Sequence, residues 1–433
     1  MTVLSSSACA LSDKQRARLS QIEQAFAVST DQLHTIVKHI RTELFLGLKN
    51  NNDSPLCMSP SFVHQRTAPS GTSLGMGIEA SGRRIRITSV TFRDSSITHT
   101  STQVFVTPPG KSITAFFEHT AFCLREFLQA RNLNEVLPLG ITIGLPISEE
   151  RVSEQPKEDS LDLCGKNVAR KLCDIFLRGH LPVRVTSVTN SAVSRLVAAR
   201  HADKTTGIAA SFNHGVNAAY FERLANVERL GQAPGSVAVN TEIGRFSSHA
   251  LPLTQWDHRV DRESKHPGTR PLEKLIADQY LGEIVRNLIT DLMDERLLFT
   301  TPSNPKTIST EYAFHTAYMA PIIENKDNAA AILETEFGMV TSESDCLIVR
   351  ALCMIVANRS ALLSGAMLAA LALKSGSKSV ALSGVLFDVN QKLCDDAVGT
   401  MQGLLASMKA GVEVRFQHRG AEVLGAAINA ASI

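Results

Sequence analysis

Strand-like and helix-like patterns take turns along this chain, and that alternation excludes most architectures. Between Leu74 and Val106, stretches such as Arg84-Ile-Arg-Ile87 and Gln103-Val-Phe-Val106 carry side chains with period two, and Pro108-Pro-Gly110 closes them. Ser112 can then cap a helix whose apolar stripe runs through Ile113, Phe116, Phe117, Leu124, Phe127 and Leu128. A strand follows at Leu139-Gly-Ile-Thr-Ile-Gly-Leu-Pro146, a helix around Val168 to Leu177, and a strand from Pro182 to Val188. The same order returns later. Strands are predicted at Ser236 to Val239, Ser379 to Ser383 and Val412 to Phe416, a long helix from Leu275 to Leu292, and a last helix from Ala421 to Ala431. Strands that alternate with helices build α/β layers. The expected fold class is α/β, in two lobes that part near Val188.

Residues 12–49 repeat apolar side chains at helical spacing (Ile22, Phe26, Leu33, Ile36, Val37, Ile40, Leu44) until Asn50-Asn-Asn-Asp-Ser-Pro55 interrupts them. With 433 residues, 44% of them apolar, the chain can bury cores of this extent. Its formal net charge is +2 and no run of five basic residues occurs, so nothing in the charge pattern points to nucleic acid. The eight cysteines form no CxxC pair, and Phe122-Cys-Leu124 seats one among apolar helix positions. Reduced thiols of an intracellular protein are the reading, and no Cys/His group has the spacing of a zinc site. The Ser-rich N-terminus carries Lys14, Arg16 and Arg18, but its apolar part is too short and broken for a secretory signal. A plain helix is the first reading and a mitochondrial presequence the second. The apolar segment Ala361 to Leu373 is about 13 residues, under the ~20 that span a bilayer, so a buried helix and no membrane span are expected.

Several separated runs occur in a definite order: Pro60-Ser-Phe-Val63, Asn217-Ala-Ala-Tyr220, Val239-Asn-Thr-Glu-Ile-Gly244, Asp261-Arg-Glu-Ser264 with His266-Pro-Gly268, and Tyr280-Leu-Gly-Glu-Ile-Val285. Together they resemble the eukaryotic hexokinase family, from about residue 20 to the C-terminus. The resemblance implies a two-lobed actin-like (ribonuclease H-like) hexokinase fold, with sugar in an interlobe cleft and ATP on the large-lobe side. It implies three units: a helical segment 1–53 packed on the large lobe, a small lobe 54–188 and a large lobe 189–433. It also implies sugar contacts at Asn190, Asn217, Glu242 and Glu273, since amides and carboxylates offer fixed donors and acceptors to hydroxyls. Each alone would pass for an ordinary loop or cap residue.

Phosphoryl transfer needs a base, backbone donors and Mg²⁺ around the phosphates, and a closing clamp. In Val188-Thr-Asn-Ser-Ala-Val193, Ser191 stands at the family's Asp base, and a serine hydroxyl cannot accept a proton near neutral pH. The family's DLGGTN loop corresponds to Gly77-Ile-Glu-Ala-Ser-Gly82, followed by Arg83 and Arg84. The Asp expected to serve Mg²⁺ is Gly77, and Glu79 brings negative charge to a place meant for phosphate. Ser81 and Arg84 are the remnants of that loop. In the second loop, Phe212 to Tyr220, Gly215 is kept while His214 and Val216 replace threonine hydroxyls. The adenosine-side motifs correspond to Ser383-Gly384-Val385 and to a turn, Glu422-Val-Leu-Gly425, ahead of the last helix. On the sugar side, Gly144 replaces a serine, and a loop carrying a Thr-Lys pair is shortened between Ser148 and Gly165.

These departures lead to an expectation of no catalytic residue, no metal and no cofactor, with Mg-ATP only if kinase activity persists. The first reading is a non-catalytic regulator of carbon signalling, of the degenerate fungal subgroup the chain resembles. Such a protein would take a hexose weakly and work through an unidentified regulatory protein partner in the cytoplasm or nucleus, or in association with mitochondria. The alternatives are an ATP-dependent hexose 6-phosphotransferase with an altered site, and an interaction partner without a small ligand.

Overall fold

The computed structural model describes residues 11–432 except 50–53, 62, 64–67, 80–82, 109–111, 145–146, 149–150, 153–166, 231–233, 301–307, 385–386, 388–389, 409–412 and 417–420. Ser81, Val385 and most of the 148–165 loop therefore lie outside the described residues.

Two helices open the chain, α1 (Asp13–Ala25) and α2 (Thr30–Leu48). The helical spacing read over 12–49 is thus carried by two helices. The break comes at Ser29, whose hydroxyl accepts the Gln32 N–H at 3.1 Å and so starts a new helix. The short strand β1 (Ser59–Ser61) follows.

A five-stranded sheet comes next, built from β2 (Gly71–Ile78), β3 (Arg84–Arg93), β4 (Ser96–Val106), β5 (Leu137–Ile143) and, after the two-residue strands β6 (Ile147–Ser148) and β7 (Arg151–Val152), β8 (Val183–Asn190). Its order is β4-β3-β2-β5-β8, antiparallel through β2 and parallel from there. Because side chains alternate along a strand, β2 and β5 have two unlike faces. Leu74, Met76, Leu139 and Ile141 pack with Phe116, Phe117, Leu124 and Phe127 of α3 (Ile113–Gln129) and Leu172 and Phe176 of α4 (Val168–Arg178). Gly75, Gly77 and Gly140 face the other way, toward a helix from the far end of the chain.

The second sheet has six strands in the order β1-β11-β10-β9-β12-β13. Its members after β1 are β9 (Thr206–Phe212), β10 (Val216–Arg223), β11 (Ser236–Asn240), β12 (Ser379–Ser383) and β13 (Glu413–Phe416). The pairs from β1 to β9 are antiparallel, and β9, β12 and β13 are parallel. Helix α5 (Ser191–Ala202) leads from the first sheet into this one. The remaining helices are α6 (Gln255–Glu263), α7 (Pro271–Ile276), α8 (Asp278–Asp294), α9 (Met319–Glu324), α10 (Asp327–Phe337), α11 (Glu343–Ser375), α12 (Gln391–Ser407) and α13 (Ala421–Ala431). The helix expected over 275–292 is thus two, divided where Ala277 is extended.

Helix α11 has 33 residues, so the apolar run 361–373 is only its middle. It is long and apolar enough to cross a membrane, yet 72% of its most apolar window is buried in the fold. It packs against α2, α8 and α12 as the axis of the large core. Arg359 on it is 1% exposed and meets Asp257 through two bonds of 2.7 Å.

Residues 421–431 were expected with the large lobe. Helix α13 instead lies between α5 and the glycine face of β2 and β5. A Cβ added to Gly75, Gly140 or Gly425 would stand 2.0, 2.0 and 1.7 Å from the carbonyl oxygens of Val423, Ala426 and Ser194 respectively, so only glycine allows these backbones to approach. The two-lobed actin-like α/β fold is present, with this helix shared by both lobes.

Candidate functional site

The end of β8, the start of β10 and the end of β11 meet at one place, and each delivers a polar side chain there. Asn190 closes β8 and caps α5, its Oδ1 accepting the Ala192 N–H at 2.8 Å. Asn217 on β10 donates through Nδ2 to Asn240 Oδ1 at 2.8 Å, to Glu242 Oε1 at 2.9 Å and to Asn190 Oδ1 at 3.5 Å. Its Oδ1 accepts the Glu242 N–H at 3.0 Å, which fixes the loop after β11. Asn240 also donates to Glu242 Oε1 at 2.9 Å. Glu242 itself takes the left-handed conformation, φ 52°, just before the short turn Ile243–Arg245. A non-glycine residue held there is over-determined by its surroundings.

Glu273 reaches the same place from α7. Its Oε2 accepts the Val216 N–H at 3.2 Å and lies 3.5 Å from Arg270 Nη1. Gly215 and Gly244 make room for it, since a Cβ on either would stand 2.7 and 3.0 Å from that oxygen. Asn190, Asn217, Glu242 and Glu273, expected together, are thus brought together, through direct bonds and through the β9–β10 turn. Asn240 and Arg270 belong with them and were missed. Asn240 stood in the Val239-Asn-Thr-Glu run, two residues before Glu242, while Arg270 gave no local signal.

The electrostatics of the cluster follow from burial. Glu242 is 6% exposed, and desolvation raises its carboxyl above the usual range. The Asn240 and Asn217 bonds and the Arg270 charge work against that rise, and Glu273 adds to it. Cys57 lies nearby and accepts a bond from Arg245 Nη1 at 3.0 Å, with its thiol pushed up chiefly by burial. Among the described residues no group of three or more His, Cys, Asp or Glu is gathered as for a metal ion.

Ser191 is the first residue of α5, one position beyond Asn190. A hydroxyl stands at the position where the resemblance led to a carboxylate base being expected. Glu79 is paired across the β2–β3 turn with Arg84, 3.9 Å away, and both are exposed. The expected opposing charge at that turn is therefore partly balanced by Arg84. His214 is 86% exposed and lies 3.6 Å from Asp278, whose carboxyl burial raises.

The nucleotide-side assignments change most. Gly425 is inside α13 and touches α5, so Glu422 to Gly425 form the helix's first turn and not a turn ahead of it. Gly384 has φ +141° and is packed against the Phe212 backbone. Gly215 serves Glu273, as described above. Glu422 pairs with Arg195 of α5 at 2.8 Å, and Arg195 also reaches Ser383 Oγ at 3.2 Å. Gly77 offers no ligand to Mg²⁺, and a Cβ there would stand 2.5 Å from Val423 Cγ2. Among the described residues, position 77 thus provides no side-chain oxygen for Mg²⁺.

Fold and cluster together define a two-lobed, actin-like α/β protein with a buried polar cluster between its strands. Two family models, each described as hexokinase, match residues 18–201 and 207–432. The chain belongs to the hexokinase family. It is 29% identical to hexokinase-2 of Candida albicans over 386 residues, 83% of this chain and 80% of that one. It is 27% identical to hexokinase-1 of Saccharomyces cerevisiae over 401 residues, 86% and 82% of the two chains. Among solved structures, a hexokinase from Schistosoma mansoni complexed with glucose matches with a TM-score of 0.89 at 26% identity, over 97% of this chain and 99% of that one.

Proposed function

We propose that this protein binds a hexose in the interlobe cleft through Asn190, Asn217, Glu242 and Glu273 and transfers phosphate poorly or not at all. One observation carries the reading: Asn190, Asn217 and Glu242 are joined in one hydrogen-bonded cluster while residue 191, beside Asn190, is a serine. The geometry suits hydroxyl recognition, because two carboxylates and three amides converge with their orientations already fixed. A proton acceptor for the reacting hydroxyl is what the position lacks. The packing of Gly77 against Val423 supports the same conclusion from the phosphate side.

A cleft that closes on sugar without chemistry turns ligand into shape, provided the closed state binds the sugar better. A regulatory role in carbon sensing, read by a protein partner in the cytoplasm or nucleus or at mitochondria, goes with this reading. The test is calorimetry with glucose, fructose, mannose and N-acetylglucosamine beside a coupled phosphotransferase assay. Sugar binding with background turnover is expected. Absence of heat at millimolar sugar, with no rise in melting temperature, would sink the proposal.

A second reading is ATP-dependent phosphorylation of a hexose at its 6-hydroxyl. Family membership, and matches to hexokinases over four fifths or more of both chains, favour it. It requires a base and a Mg²⁺ ligand from positions other than 191 and 77. Robust turnover in the same assay, lost in Glu273→Ala, would establish it.

A further inference from the structure

Glu242 is buried within the field of Glu273, and both burial and that charge favour its protonated form. Protonation of Glu242 would spoil the site. Its Oε1 accepts from both Asn217 and Asn240, and a carboxylic acid has fewer lone pairs to offer and adds a donor that must be satisfied. A nearby positive charge works against that protonation.

Arg270 is placed to supply it. It lies immediately before Pro271, the first residue of α7, in the left-handed conformation with φ 54° and ψ 46°. A residue ahead of proline ordinarily takes an extended conformation, and a non-glycine residue seldom takes this one. The chain therefore accepts backbone strain at this point. In return the guanidinium is carried inward: it is 18% exposed, its Nη1 is 3.5 Å from Glu273 Oε2, and its charge reaches Glu242 as well.

We infer that Arg270 is a positioning residue of the hexose site, whose guanidinium, paired with Glu273, offsets the negative field that Glu273 sets on the buried Glu242. The inference rests on the hexose-binding reading. The groups facing Glu242 come from five directions: Asn217 of β10, Asn240 of β11, Asn190 at the end of β8, Glu273 and Arg270 at α7, and Cys57 with Arg245 beside β1 and the 243–245 turn. Tyr280 of α8 faces Glu273 and Arg270, with its hydroxyl pushed up by burial first and the Glu273 charge second. Of these groups, Arg270 is the cation that acts on both carboxylates.

Removing the guanidinium lets the Glu242 carboxyl rise further, so sugar affinity should begin to fall at a higher pH. The experiment compares wild type, Arg270→Gln and Arg270→Lys in two measurements. One is a carbon-13 titration of labelled glutamates in the ligand-free chain. The other is glucose calorimetry at about pH 5.5 and about pH 8, on either side of the region where a raised carboxyl titrates.

In Arg270→Gln we expect one glutamate carboxyl to titrate at higher pH, and glucose affinity to drop roughly 10-fold at the lower pH with a smaller change at the higher. Arg270→Lys should recover much of both. A Gln variant with unchanged titration and an unchanged ratio of affinities overturns the role of Arg270. A shifted carboxyl in a chain that binds no sugar, wild type included, overturns the functional reading instead. An unchanged melting temperature in the Lys variant excludes loss of fold as the cause.

Discussion

Val423 and Gly77 share one side chain's worth of space. A Cβ on Gly77 would stand 2.5 Å from Val423 Cγ2, and Val423 is fully buried between β2 and α13's other neighbours. The volume that a carboxylate on β2 would need has been taken by a branched side chain on the last helix.

Gly77→Asp should accordingly lower stability, by about 1–3 kcal/mol for overpacking a filled site. Adding Val423→Gly should return part of the loss despite its own helix cost, because the two changes exchange volume. Thermal melts of the single and double variants check this. Equal losses in both would show that Val423 is not the obstacle.

Ser191→Asp places a carboxylate in the first turn of α5, where the helix dipole favours negative charge. The variant should fold as well as wild type. Turnover should stay at background, since a base alone is worth roughly 10²–10⁴-fold and the phosphate end remains closed. A coupled assay that recovers hexokinase-like rates from this one change would contradict the role given to Gly77 and Val423.

Glu242→Gln should bind hexose roughly 10-fold more weakly, because a charged acceptor is lost. The same variant should be more stable than wild type at neutral pH. Burial holds the Glu242 carboxyl above its unfolded value, so the folded state binds the proton more tightly and stability falls as pH rises through that interval. Below the unfolded carboxyl range the variant's advantage should vanish. Denaturant melts across pH, beside calorimetry, test both signs.

Asp257→Asn strips the carboxylate from Arg359, which is 1% exposed and lies over the Phe26 ring. Leaving that charge uncompensated should cost about 3–5 kcal/mol. Replacing both partners with apolar residues of matching volume should cost much less. Chemical denaturation of the single and double variants measures the difference.

The alternation of strand and helix was legible because β2, β3, β5 and α3 each carry a clean period in their side chains. Helix α11 was half legible: it is apolar on every side, so no stripe marks its ends, and only the capping box at Ser342 and Asp345 and the left-handed Gly376 do. The breaks at Ser29 and Ala277 were hidden because apolar spacing continues across them. In the site, the four expected residues came from motif order, and Asn240 was within reach of the same reasoning. Arg270 was not, since its value lies in a backbone angle and in two carboxylates from other elements. Gly77 of β2 was open to a phosphate-loop reading, and the partner of that strand, α13, lies some 350 residues away in sequence, as the bond from Ser73 to Ala427 illustrates.

That last distance bears on how the protein is made. Synthesis delivers β2, β5 and β8 early, yet one face of their sheet can be covered only when α13 leaves the ribosome. Until then the glycines of β2 and β5 lie open beside Val90 and Phe92 of β3, apolar side chains that pack with Ala427 and Ile428 of α13. The nascent chain thus waits with an apolar strip open, and deleting α13 would leave that face of the first lobe uncovered for good.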